Sequence, residues 1–194
     1  MTGHGKPVLV WPKRPLEFNL AHAAGWSLAA FAHSTPLGVD LERIDPGSVD
    51  EPLLQAALTE QERAGLAACN PNDRTRRFFE LWTMKEAWAK ADGSGLTRGP
   101  AFFPVGQPDD CRRPWLVPNV TPLPGFASAL AVAGSVQPTV ERYALETRLP
   151  GVASYALAER VASSTHATFS RSTRQWRSRS LVTVVSSAEP TIGR

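Results

Sequence analysis

Hydrophobic and polar positions alternate most cleanly over residues 37–44 (LGVDLERI). There Val39 and Leu41 share one face and Asp40 and Glu42 the other, the two-residue period of a half-buried strand. Residues 16–20 (LEFNL) alternate enough for a strand. Residues 26–31 (WSLAAF) fit strand by length and helix by their Leu and Ala content. HSTP at 33–36 reads as a turn, so two strands joined there would form a hairpin. Thr59 with Glu62 matches a capping box that opens a helix running to about Ala68. Residues 72–92 give the strongest helical pattern. No Gly or Pro interrupts them, Gly93 stops them, and Phe78, Leu81, Trp82, Met84 and Trp88 supply a broad apolar surface. Residues 99–125 are Pro-rich and read as loop with short strands, followed by closing strands at 126–134 and 140–145. Beyond Pro150 the texture changes: residues 163–180 are dominated by Ser, Thr and Arg without periodicity, which predicts a disordered tail over 151–194.

This pattern predicts one α+β domain over residues 1–150, with a small, mainly antiparallel sheet packed on the 72–92 helix. A length of 194 residues suits it. The net charge of +3 changes the picture only by its location. Residues 1–150 are close to neutral, while 151–194 hold six Arg against two Glu, so the body gives no ground for a nucleic-acid partner. No apolar run is long enough to span a membrane, and the N-terminus lacks a signal-peptide layout; a cytoplasmic location is the expectation. Cys69 and Cys111 form no CxxC pair, which disfavours a thiolate metal site.

Candidate chemistry lies in the acids. Asp40 and Glu42, at i and i+2 of a strand, point the same way roughly 7 Å apart. Taken alone they read most simply as the solvated face of an amphipathic strand. Glu86 and Lys90, at i and i+4 of a helix, share a face about 6 Å apart along the axis, and could be an ordinary surface ion pair. Their company argues for more, because this helix is rich in large apolar residues and full exposure of that face is unexpected. Asp40, Glu42 and Glu86 together could give Mg²⁺ its protein oxygens, the rest of the shell coming from water and substrate phosphates. Lys90 would neutralise a bound diphosphate. GSGL at 93–96 follows its helix and so reads as a C-cap, not a phosphate loop. His22 could be a surface residue or could donate to a phosphate; spacing leaves both open.

Three blocks in order, GKP at 5–7 leading to FNLAH at 18–22, GVDLE at 38–42, and LWTMKEAWAKADGSGL at 81–96, resemble the signature of the Sfp-type 4'-phosphopantetheinyl transferases. The resemblance covers roughly residues 5–145. It implies Asp40, Glu42 and Glu86 as magnesium ligands and Lys90 as the contact to the coenzyme A diphosphate. It implies His22 and Lys6 as contacts near the nucleotide 3'-phosphate, and Glu86 as the base for an incoming serine. The implied reaction moves the phosphopantetheine arm of coenzyme A onto a serine of an apo acyl or peptidyl carrier protein. Two departures stand out. Ala21 replaces the family's serine before the histidine, which removes a hydroxyl contact of about 1 kcal/mol. The pseudo-symmetric half that precedes the GKP block in the family is also missing. That absence implies an apolar face open to a second copy of the chain, a homodimer, and gives the alternative of a truncated, non-catalytic module that binds coenzyme A or a carrier protein. A further alternative is an unrelated α+β domain whose acids are surface charge.

Overall fold

A computed structural model of the chain describes residues 8–10, 15–95, 99, 103–105, 114–120, 123–134, 139–146, 159–161 and 179–186. Lys6 and the GKP block lie outside them. The elements run β1 (Leu16–Ala23), β2 (Trp26–His33), β3 (Leu37–Arg43), a 3₁₀ turn (Pro46–Ser48), α1 (Glu51–Ala57), α2 (Glu60–Ala68), α3 (Pro71–Asp92), β4 (Trp115–Pro118), β5 (Phe126–Val132), β6 (Thr139–Glu146), β7 (Glu159–Val161) and β8 (Arg179–Ser186). The class is α+β. One sheet has the order β1-β2-β8-β6-β7, the other β3-β5-β4. Every described pairing is antiparallel except β2 with β8.

The expected hairpin across HSTP does not form. β2 pairs with β1 and β8, whereas β3 pairs with β5 in the other sheet. Ser34 takes a left-handed φ of 53° and its N–H donates to Pro15 O at 2.6 Å, which swings the chain out of the first sheet. The hairpin forms one step earlier. Ala24 and Gly25 both have positive φ, 46° and 80°, the signature of the two-residue turn whose twist matches its strands. β7 and β8 fall within 151–194, where disorder was expected. The run 181–185 (LVTVV), four of its five residues β-branched, has the local propensity for a strand.

Two buried clusters flank the small sheet. On one side Leu37, Val39, Leu41, Leu130 and Val132 pack with Leu28 and Ala30 of β2. On the other, Ala127, Ala129 and Ala131 of β5 pack against Phe78, Leu81, Met84, Ala87 and Ala91 of α3. The cross-strand pairs Gly38↔Ala131, Asp40↔Ala129 and Glu42↔Ala127 put the β3 acids on the alanine side, because directly opposed residues share a face. Asp40 and Glu42 therefore face α3, not open water. α3 itself is capped by Asn70, whose side chain accepts from Asn72 N, and by Gly93, with φ 78° and its N–H on Ala89 O. Both ends thus carry a cap.

Candidate active site

β3 and α3 meet through a glycine. A methyl group at Gly38 would lie 2.2 Å from Ala87 O, 2.5 Å from Ala91 N and 2.8 Å from Lys90 Cβ. Only a residue without a side chain lets the helix backbone come this close to the strand. The approach brings the root of Lys90 against the strand, and its ammonium reaches Asp40 Oδ1 at 2.7 Å and Val39 O at 3.2 Å. Two turns earlier the indole N–H of Trp82 favours the ionised Glu42 carboxylate, while its ring stacks on Phe78 at 6.3 Å. Glu86 lies one turn from each, between these two rungs.

The first sheet is latched to this strand by one side chain. Asn19 of β1 is buried, and its Oδ1 accepts from Val39 N at 3.0 Å. β1 and β3 are each the edge of their own sheet, so Asn19 satisfies a donor that the ladder leaves open. His22, exposed and three residues further along β1, lies near enough for its charge to favour ionised Glu42.

The electrostatics reflect three carboxylates crowded around one ammonium. Burial pushes Asp40 above the ordinary carboxylate range, against the pull of Lys90 and two hydrogen bonds. Glu42 is raised by burial and then by Asp40, with Lys90, Trp82 and His22 opposing. Glu86 is pushed up to about 7, by burial first, then by the charge of Asp40, with Lys90 opposing and Glu42 adding. Glu86 feels both other acids and Glu42 feels Asp40, because like charges disfavour joint ionisation. Their meeting is nonetheless one of electrostatic range. Among the described residues no group of three or more His, Cys, Asp or Glu is arranged, as the chain stands, to hold a metal ion. The donor chemistry still suits a hard cation. Asp40 Oδ2 is buried without any hydrogen-bond partner beside two further carboxylates, and an unpaired buried oxygen of this kind is costly unless something positive meets it.

The family model of the 4'-phosphopantetheinyl transferase superfamily matches residues 36–147, which include β3 and α3 with all three acids. The chain belongs to this superfamily. It is similar to a 4'-phosphopantetheinyl transferase of Bacillus subtilis, 34% identical over 108 residues, covering 55% of this chain and 46% of the relative. It is also similar to the 4'-phosphopantetheinyl transferase HetI of a Nostoc species, 29% identical over 137 residues, covering 67% and 58%. A holo-[acyl-carrier-protein] synthase of Thermotoga maritima aligns in structure with a TM-score of 0.39 at 20% identity, over 55% of this chain and 67% of that one. The chain spans about half the length of the curated relatives it matches.

Of the residues singled out from the sequence, Asp40, Glu42, Glu86 and Lys90 come together on the β3–α3 seam, with His22 at its edge. Trp82, Gly38 and Asn19 lay inside the same three motif blocks, but nothing in their spacing revealed a donor, a close approach and a latch. Lys85, next to Glu86, turns the other way into the core, where its Nζ lies 2.8 Å from Glu62 Oε2.

Proposed function

We propose that this chain carries the metal and diphosphate site for magnesium-dependent transfer of 4'-phosphopantetheine from coenzyme A to a serine of an acyl or peptidyl carrier protein. One observation carries the reading: a buried, unpartnered Asp40 Oδ2, facing a helix that contributes Glu86 and Lys90, inside the segment matched to the superfamily.

Asp40, Glu42 and Glu86 would hold Mg²⁺, which when bound supplies charge neutralisation for the diphosphate. The chain's own groups do the rest. Lys90 takes a diphosphate oxygen, and His22 with Lys6 takes the 3'-phosphate. Glu86, directly or through a water, accepts the proton of the carrier serine. A bond forms between serine Oγ and the phosphorus bearing pantetheine. The bond to the bridging oxygen breaks, and adenosine 3',5'-bisphosphate leaves with the electron pair. Charge growing on that oxygen is spread by Lys90, the general logic of phosphoryl transfer.

Cytoplasmic work on cytoplasmic carrier proteins fits this reading, and no described helix is long and apolar enough to cross a membrane. A second copy of the chain is the proposed partner for the outer face of β1 and β2. There Leu16 and Leu20 are exposed and Phe18 stacks on Phe31. Sedimentation as a stable, folded monomer would rule that dimer out.

Incubation with coenzyme A, Mg²⁺ and an apo carrier protein tests the function by mass spectrometry. A phosphopantetheine adduct that disappears in Asp40→Ala and Glu86→Ala is expected. Coenzyme A binding without any adduct would leave the chain a binding module. Mg²⁺ binding unchanged by both substitutions would reduce the acids to surface charge.

A further inference from the structure

The ammonium of Lys90 stands 2.7 Å from Asp40 Oδ1, in contact with one of the oxygens proposed for a divalent ion. The two partners differ in freedom. The Asp40 side chain is 7% exposed, that of Lys90 29%. The carboxylate is fixed on a strand between sheet and helix, while the lysine head has a way out to solvent on a flexible stem. Lys90 satisfies Oδ1 and leaves Oδ2 with no partner. Among the described residues the three carboxylates are not arranged to grip an ion together. A monovalent cation thus meets one oxygen of a carboxylate whose other buried oxygen is unmet.

We propose that Lys90 is the resident counter-cation of the acidic site, holding Asp40 while no metal is bound, and that an incoming diphosphate draws its ammonium away and so opens Asp40 to the divalent ion. The inference rests on the magnesium reading above and adds an order to it: the metal alone binds poorly, and metal with diphosphate binds well. Two like charges a few ångströms apart repel strongly where water is scarce, so a divalent ion cannot reach Asp40 at full affinity while the ammonium stays. A diphosphate offers that ammonium a better partner than one carboxylate oxygen and a main-chain carbonyl.

The test is calorimetric titration of Mg²⁺ alone into the full chain and its variants, with thermal melts to confirm folding. Lys90→Met should bind Mg²⁺ about tenfold tighter than the unsubstituted chain, and Lys90→Gln should behave alike if the methionine variant folds poorly. Lys90→Arg keeps a cation at the site and should show no gain. Coenzyme A should bind both neutral variants more weakly. Equal or weaker Mg²⁺ binding by Lys90→Met and Lys90→Gln overturns the resident-cation role. If Asp40→Asn then abolishes the binding that remains, the magnesium reading survives that loss. No divalent binding by any variant, with or without coenzyme A, overturns both.

Discussion

Lys85 Nζ lies 2.8 Å from Glu62 Oε2 with the lysine side chain fully buried, which ties α2 to α3 beneath the proposed site. The same carboxylate accepts from Thr59 N and from Val105 N, and Lys85 also donates to Phe103 O. One pair therefore fastens the N-terminus of α2, the middle of α3 and residues 103–105. Burial lowers the Lys85 pKa, with the Glu62 carboxylate opposing. Lys85→Met should cost about 3–5 kcal/mol, since it strands a buried carboxylate. In urea unfolding, the double variant with Glu62→Gln should lose less than the sum of the two single changes. Strict additivity would show that the pair is not coupled.

Gly38→Ala tests the close approach of strand and helix. The new methyl would meet main-chain atoms of Ala87 and Ala91, which cannot rotate aside, so α3 must shift. Overpacking of this kind costs about 1–3 kcal/mol, a fall in melting temperature of roughly 2–4 °C per kcal/mol for a chain of this size. The shift also moves Lys90 and Glu86 relative to Asp40, so the proposed transfer activity should fall further than the melting temperature alone would imply. Full activity in the Gly38→Ala variant would sever the proposed link between packing and site.

The candidate site was legible where chemistry follows local period. Strict alternation placed Asp40 and Glu42 on one face of β3, and uninterrupted helical spacing placed Glu86 and Lys90 on one face of α3. The capping box at Thr59 and Glu62 formed as read, with both its hydrogen bonds present. Long-range choices were not legible. Whether β2 would pair with β1 or β3 turned on the left-handed Ser34 and the Ala24–Gly25 turn, and neither residue type demands that conformation. α1 passed unread, although Asp50 caps it by accepting from Leu53 N and Pro52 follows in its first turn. The second duty of Glu62, toward Lys85 and Val105, has no local trace because its partners lie 23 and 43 residues away in sequence. Lys85 and Glu86 are adjacent, yet roughly 100° of helical rotation sends one into the core and the other to the seam.

Trp82→Phe separates the indole's two jobs. Phenylalanine keeps an aromatic ring against Phe78 but loses the N–H that favours ionised Glu42. The stability loss should stay near 1 kcal/mol, the scale of one hydrogen bond. With that donor gone, kcat/KM for the proposed phosphopantetheine transfer should fall by about tenfold or more. A variant as active as the unsubstituted chain would remove Trp82 from the positioning of Glu42.

The pH dependence of stability without metal has a definite sign. Glu86 titrates near 7 in the folded chain, against an ordinary value of 4.5. Between these values the folded state holds a proton that the unfolded state has released, so stability falls as pH rises through the window. The stabilisation is fully present below pH 4.5 and lost once pH passes about 7. Asp40 and Glu42, also raised, act in the same direction. Urea midpoints taken with a chelator present should therefore drop between pH 5.5 and 8, and Glu86→Gln should flatten most of that slope. Saturating Mg²⁺ should reverse it, because the ion binds the carboxylates only as protons leave. A slope that is the same with and without magnesium would mean that Glu86 titrates without regard to any metal.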